Sequence, residues 1–317
     1  METEIIITQI VILAIVVLIG AVSARFKVIT RESKDMLSKV IFNISLPLML
    51  FTNFLRLEAT PRLLANSAIV LIASGVIILF MLLAGWLTTR VVKMNGREAA
   101  VFKAHSMFGN IIFLGFPLVT ALYGEEGLLY ASMFQLVSNI IMWTVGVVVL
   151  SHGTGTPWKK SLSRILNPNT IATMTGLAFF LLSIKLPDII VTPFSELGSA
   201  NTWLSMLYIG AMMYFSDVKG LVGRKIIYIL SFNRLVLVPA LLVSLFALVA
   251  SLTGFLPDSL VTAVIVLEAS MPCMASVVIM ARELGADDQL AVANVFVSTL
   301  VSIITLPLVL MAVNRFL

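Results

Sequence analysis

The sequence predicts an all-α polytopic membrane protein with ten transmembrane helices, arranged as two inverted five-helix repeats with the fourth helix of each repeat broken. The 317 residues are 60% hydrophobic and 12% charged, with a mean hydropathy of +1.07, and soluble domains are not this apolar. Basic residues lie between the apolar runs rather than within them. Glycine, proline and polar residues interrupt two of those runs, where lipid offers the backbone no hydrogen-bond partner.

Ten apolar segments of membrane-crossing length follow one another along the chain. Their predicted bounds are about 4–24, 33–55, 64–92, 97–122, 126–152, 168–186, 192–216, 225–250, 257–282 and 287–315. Turn residues, Tyr123-Gly124-Glu125-Glu126-Gly127, separate the fourth span from the fifth. The sixth span is predicted to begin with Asn167 as a cap and Pro168 in the first helical turn, where its missing N–H costs little.

The loops between the spans predict the orientation of the chain. One alternating set holds sixteen Lys and Arg residues and the other holds four, while Arg234 lies inside the eighth span. The basic set is expected to be cytoplasmic, so both termini are extracytoplasmic in a multi-pass protein of the plasma (inner) membrane. The opening Met1-Glu2-Thr3-Glu4 is acidic where a signal peptide is basic, which favours an uncleaved first helix.

Ten spans with both ends outside divide evenly at the central cytoplasmic loop. Five is an odd number, so the second half enters the membrane in the opposite orientation to the first, as an inverted repeat does. The predicted domains are a first repeat over residues 1–152, a short cytoplasmic linker over 153–167 and a second repeat over 168–317.

The two broken spans are the fourth and the ninth. Within Phe108-Gly109-Asn110-Ile111-Ile112-Phe113-Leu114-Gly115-Phe116-Pro117, the glycines permit unwinding and Pro117 removes a backbone donor. The second break is Glu268-Ala269-Ser270-Met271-Pro272-Cys273-Met274-Ala275-Ser276. Broken helices at corresponding places in two halves are typical of a transporter with its binding site near the membrane midplane.

Four motifs resemble those of the auxin efflux carrier (AEC) family, which joins plant PIN-type auxin carriers to bacterial permeases. They are Phe108-Gly109-Asn110 with Gly115-Phe116-Pro117-Leu118 and Tyr123-Gly124; Asn167-Pro168-Asn169-Thr170 with Gly176-Leu177; Leu197-Gly198-Ser199-Ala200; and Ser270-Met271-Pro272 with Ala281-Arg282-Glu283-Leu284. The resemblance covers nearly the whole chain. It implies a crossover of helices 4 and 9, an elevator-like motion of transport and scaffold domains, and a homodimer.

If the breaks meet, each second half-helix begins there, and we expect its unpaired amides and positive dipole end to favour an anion. Asn110 matches the asparagine of the family's substrate site, while Pro117 and Pro272 are expected to shape the crossover rather than to bind. The candidate substrate-binding residues are Asn110, Gly109, Gly115, Ser270, Ser276, Asn43 and Ser45.

Three further polar residues lie within predicted spans. Glu268 is expected to be protonated or paired, because a charge deep in a span is costly, and it is a candidate for proton coupling. Arg234 is expected to snorkel towards an interface. His105 is expected at the cytoplasmic interface, near Lys103.

These observations predict a secondary transporter of small organic anions, carboxylates such as malate or auxin-like acids, with proton coupling and uniport both open. Its expected partners are that anion, the lipid bilayer and a second copy of the chain; no nucleic acid, metal or cofactor is expected. Alternatives are a sodium-coupled bile-acid-symporter-like carrier, a cation/proton antiporter-like carrier, or a non-transporting membrane sensor. An enzyme is not expected, because the two histidines, His105 and His152, do not pair on a helix.

Overall fold

The computed structural model describes residues 2–151, 165–216, 218, 220–254 and 257–316, and over these residues the protein is all-helical, without a β-strand. The α-helices are α1 Glu2–Arg25, α2 Arg31–Val40, α3 Leu46–Arg56, α4 Pro61–Val91, α5 Gly96–Met107, α6 Phe116–Ile141, α7 Val147–Leu150, α8 Pro168–Leu181, α9 Asp188–Phe215, α10 Lys225–Phe232, α11 Val238–Thr253, α12 Ser259–Ala269, α13 Ser276–Glu283 and α14 Asp288–Phe316. Five-residue π-helical turns occupy Ile41–Ser45, Ile111–Gly115, Met142–Gly146 and Asn233–Leu237.

The protein is a polytopic membrane protein, as the sequence predicts. Five stretches in the described part of the chain are long and apolar enough to cross a membrane: Arg31–Arg56, Pro61–Val91, Ile111–Leu150, Lys225–Thr253 and Asp288–Phe316. Val11–Arg25 within α1 and Ser259–Ala269 (α12) are shorter apolar helical stretches.

Two predicted connections can be compared with the structure. The turn expected at 123–127 is confined to Gly124, whose φ of 62° and ψ of −147° suit a residue without a side chain. Asn167 caps α8 as predicted, because its Oδ1 accepts from the N–H groups of Asn169 (3.0 Å) and Thr170 (3.1 Å). His152 and residues 153–164 of the predicted linker lie outside the described residues.

Two compact units make up the chain, and each is assembled from separate segments. The first comprises Met1–Ala68, Ile112–Leu136 and Leu166–Phe215, and the second comprises Ile69–Ile111, Val137–Ile165 and Ser216–Leu317. Each unit therefore draws on both halves of the sequence, and the chain passes from one unit to the other within the continuous helices α4 and α6.

In the first unit, glycines allow helices to approach closely. A Cβ on Gly210 of α9 would overlap with the Val17 carbonyl oxygen of α1. A Cβ on Gly198 would lie 2.8 Å from the Met49 Cα of α3. Small residues at such contacts let backbones pack directly, as is common between membrane helices.

In the second unit, α12 is enclosed by other elements, and each of its residues from Val261 to Ala269 is buried. A helix that is apolar all round is expected in such a place. The last turn of α12 leads into the second predicted break, so this enclosed helix determines where that break lies.

Candidate functional site

The first predicted break is present, and it is shorter than the sequence suggests. α5 ends at Met107, Phe108 has extended backbone (φ −108°, ψ 120°), and helical structure resumes at Ile111. The unwound residues are therefore Phe108, Gly109 and Asn110. Gly115 closes the following π-helical turn, and α6 continues from it without a gap, so Pro117 lies inside a helix that begins at Ile111, just after the irregular turn. Pro117 thus lies beyond the unwound residues rather than among them.

The second break separates α12 from α13. α12 ends at Ala269, and residues 270–275 connect it to Ser276, the first residue of α13. Pro272 lies in the middle of this connection. The position of the break agrees with the prediction.

The two breaks lie side by side and antiparallel within the second unit. The Asn110 N–H donates to the Pro272 carbonyl at 2.8 Å, and the Met274 N–H donates to the Phe108 carbonyl at 3.2 Å. An isolated antiparallel bridge joins Gly109 to Cys273. Each break therefore satisfies backbone groups that the other leaves without a helical partner.

Residues from other helices satisfy further backbone groups of the breaks. Ser298 of α14 accepts the Cys273 N–H at 3.0 Å through its Oγ. The amides of Asn110, Cys273 and Met274 are thus already bonded within the protein. In the first turns of the half-helices that follow, the N–H groups of Ile111, Val277 and Val278 also donate to nearby carbonyls, and for the other first-turn amides the expectation stays a prediction.

Arg234 lies at the breaks, and the expectation that it snorkels is wrong. Its side chain is 2% exposed and extends from the π-helical turn at Asn233–Leu237. Nε donates to the Met271 carbonyl at 2.5 Å, and Nη1 donates to the carbonyls of His105 (2.8 Å) and Ser106 (2.7 Å). One guanidinium therefore binds the end of α5 and the second break together.

His105 is also buried, whereas the sequence placed it at an interface. Its Nε2 lies 3.3 Å from the Met274 carbonyl, and its Nδ1 lies 3.2 Å from the Asn294 amide nitrogen. A carbonyl oxygen only accepts, so the network assigns the proton to Nε2 and leaves Nδ1 to accept from Asn294. His105 thereby links α5, the second break and α14.

Two side chains that the sequence singled out are buried here without a polar partner. Asn110 is 2% exposed, and its Nδ2 has no hydrogen-bond partner among the described residues. Glu268, in the last turn of α12, is 1% exposed, and within the same described set neither carboxyl oxygen has a partner. A buried polar atom without a partner costs about 1–3 kcal/mol, so these atoms at the breaks call for an explanation.

The remaining predicted site residues occupy varied environments. Ser270, just after α12, donates to the Val266 carbonyl of that helix, and Ser276 is half-buried at the start of α13. In the first unit, Ser45 is buried and donates to Asn201 Oδ1 at 3.2 Å. Asn43 is exposed and donates from Nδ2 to the Lys39 carbonyl at 2.9 Å. The structure thus brings Gly109, Asn110 and Pro272 together.

Metal ligands are not clustered in the part of the chain that the structure describes, where no group of three His, Cys, Asp or Glu residues is placed to hold an ion. Cys273, the single cysteine, is buried in the second break.

Comparison with known proteins gives consistent matches over the whole chain. The family model described as "Membrane transport protein" matches twice, over residues 5–156 and 157–310. An "Uncharacterized transporter" of Methanothermobacter thermautotrophicus is 27% identical over 300 residues, covering 93% of this chain and 94% of the relative. "Uncharacterized transporter YfdV" of Escherichia coli K12 is 23% identical over 303 residues, covering 93% of each chain. "Uncharacterized transporter MJ1031" of Methanocaldococcus jannaschii is 22% identical, covering 94% of this chain and 95% of the relative.

Proposed function

Because the chain belongs to the membrane transport protein family, the auxin efflux carrier family that its motifs resemble, we propose that it is a secondary transporter of small organic anions. The substrates are carboxylates such as malate or auxin-like acids. They bind beside the paired breaks in the second unit.

The observation that carries this proposal is the buried amide of Asn110. Its backbone N–H is used to pair the breaks, while its side-chain Nδ2 is enclosed without an acceptor among the described residues. A carboxylate oxygen is a strong acceptor for such a donor, and it brings no second donor that would need a partner. The site is therefore suited to an anion and pre-formed at its backbone.

The proposed architecture is ten transmembrane helices in two inverted five-helix repeats, with helices 4 and 9 crossing at the breaks. Two successive matches to one family model, at residues 5–156 and 157–310, support a duplicated chain. The similar placement of one break in each half supports the same symmetry.

Transport proceeds by an elevator-type motion in this proposal. Two compact units, each built from discontinuous segments, are what such a motion requires, and the paired breaks belong to one unit only. The bound anion and the paired breaks therefore move together with the second unit. The protein acts in the plasma (inner) membrane as a homodimer, with both termini extracytoplasmic.

Glu268 is the candidate for coupling transport to protons. Its carboxyl is buried beside the second break without a partner among the described residues, an environment in which the neutral form is stable and the charged form costly. Release of its proton thus requires a change in its surroundings, which a transport cycle supplies.

Substrate-induced current on a solid-supported membrane tests the proposal. Purified protein in liposomes is exposed to malate, 2-oxoglutarate, lactate, pyruvate and indole-3-acetate, with and without a pH gradient. We expect a saturable current for at least one acid and a half-saturating concentration about 10- to 100-fold higher in Asn110→Ala, the equivalent of one charge-assisted hydrogen bond. Absence of current and of radiolabelled uptake for every acid, in folded protein, contradicts the proposal and favours a non-transporting sensor.

Unpartnered acceptors favour one alternative, a sodium-coupled carrier. Both Glu268 oxygens and Asn294 Oδ1 are buried and lack donors in the described part of the chain, and oxygen acceptors are what a hard cation binds. Replacement of sodium by choline distinguishes a sodium-coupled carrier from a sodium-independent one. Anion transport that survives the replacement excludes sodium coupling.

A further inference from the structure

Arg234 carries a buried positive charge that no carboxylate of the described residues neutralises. None of the ion pairs between described residues includes it, and Glu268 of the same unit does not pair with it. Carbonyl dipoles from three residues stabilise the guanidinium without cancelling its charge. A buried charge without a counter-ion is costly, and binding of an anion would remove this cost.

The bonds of Arg234 leave one end of the guanidinium for another partner. Nε and Nη1 make the three bonds, one to a carbonyl of the second break and two to carbonyls at the end of α5. Nη2 lies against Gly109, so closely that a Cβ on that glycine would overlap with it. Gly109 thus provides the space through which Nη2 reaches the unwound residues, and the next residue is Asn110.

Three backbone amides of the breaks are already used within the protein. Those of Asn110, Cys273 and Met274 already donate to the Pro272 carbonyl, Ser298 Oγ and the Phe108 carbonyl. Among side-chain donors there, Nδ2 of Asn110 has no acceptor among the described residues, and Nη2 of Arg234 takes part in none of the three bonds that the guanidinium makes to carbonyls.

We propose that Arg234 is the cationic anchor of the substrate site, where its Nη2 pairs with the carboxylate of the transported acid while Nε and Nη1 hold the two breaks in place. This inference rests on the proposed function and makes it more specific. The site then selects one ionised carboxylate group, and the neutral amide of the same acid binds poorly because it leaves the guanidinium without a counter-ion.

A comparison of acids with their amides tests this role. Binding to purified protein is measured by isothermal titration calorimetry for lactate and lactamide, pyruvate and pyruvamide, malate and malamide, and indole-3-acetate and indole-3-acetamide. We expect the wild type to prefer the acid, and this preference to fall about 10- to 100-fold in Arg234→Gln, since a charge-assisted hydrogen bond is removed. A merely structural Arg234 would weaken acid and amide equally and leave their ratio unchanged.

Asn233→Ala is the matched control. Asn233 precedes Arg234 in the same π-helical turn and donates to Thr88 Oγ1 at 2.9 Å, away from the breaks. This variant loses a half-buried hydrogen bond but keeps the guanidinium, so its acid-to-amide ratio is expected to equal that of the wild type.

Each outcome bears on the proposal. If Arg234→Gln does not fold, Arg234→Lys is measured instead. The single side-chain nitrogen of lysine would be held by the carbonyls and could not also reach the anion, so the acid-to-amide ratio is again expected to fall. An unchanged ratio in the folded variant overturns the role of Arg234 and leaves the anion carrier intact. A wild type that binds and transports none of the acids contradicts the proposed function and this inference together.

Discussion

Gly109→Ala tests whether Arg234 and the first break are packed as tightly as the structure shows. The added Cβ would overlap with Arg234 Nη2 and would lie 2.9 Å from Met271 Cβ and 3.3 Å from the Met271 carbonyl oxygen. Two responses relieve the overlap: the backbone of the breaks shifts, or the guanidinium moves and loses a bond to a carbonyl.

Either response has a similar cost. Overpacking a tight site costs about 1–3 kcal/mol, and loss of one hydrogen bond from a charged donor costs about 1.5–3 kcal/mol. We therefore expect Gly109→Ala to destabilise the paired breaks by about 1.5–3 kcal/mol. This is an increase of about 10- to 100-fold in the population in which the breaks are open, at 1.4 kcal/mol for each tenfold.

Cys273 provides the assay, because it is the single cysteine of the chain and it is 0% exposed in the second break. Its rate of reaction with a maleimide, under conditions in which closing is faster than labelling, reports the open population. We expect labelling to accelerate about 10- to 100-fold in Gly109→Ala.

Gly75→Ala is the control. Its Cβ would meet nothing closer than Val137 Cγ1 at 3.8 Å, an ordinary contact within the same unit, and alanine favours the helix by about 0.5–1 kcal/mol. Labelling of Cys273 is expected to stay the same or to slow. Equal labelling rates in Gly109→Ala and the wild type would show that the guanidinium is not held against Gly109, and would refute the reasoning.

Two more predictions concern single groups at the breaks. Ser298→Ala leaves the buried Cys273 N–H without its acceptor and is expected to destabilise the protein by about 1–3 kcal/mol, measured as a lower apparent Tm in detergent. Ser298→Thr keeps the hydroxyl and is the control. Equal Tm values for the two variants would contradict the role of the Ser298 hydroxyl as acceptor. Glu268→Gln keeps the shape of a side chain whose oxygens have no partner among the described residues, so we expect the variant to fold. We also expect the acid-induced current to lose its pH dependence, because glutamine cannot carry the proton. An unchanged pH profile would exclude Glu268 from proton coupling.

Local composition was enough to locate both breaks. Glycine, asparagine and proline are unusual inside apolar segments, and each has a known effect on the helical ladder. Pro117 lies beyond the unwound residues, next to the π-helical turn, and this could not be predicted, because the sequence alone does not fix where helical structure resumes.

The partners of the breaks could not be predicted from one sequence. Arg234 is 124 residues from Asn110 along the chain, and hydropathy gives the same signal for a snorkelling arginine as for one bonded to buried carbonyls. The hydrogen bonds that Ser298 and the opposite break make to the amides of Cys273, Asn110 and Met274 were equally out of reach, because they join residues far apart in the sequence.

Protection of Cys273 by a transported acid tests most directly whether the paired breaks form the anion site. Maleimide labelling is followed while the acid that gives the largest current is raised to about 100 times its dissociation constant. Binding to the closed site predicts saturable slowing that approaches 100-fold and is shifted to higher acid concentration in Asn110→Ala. A labelling rate that does not change at saturating acid, in protein that transports that acid, would place the substrate elsewhere and contradict the account.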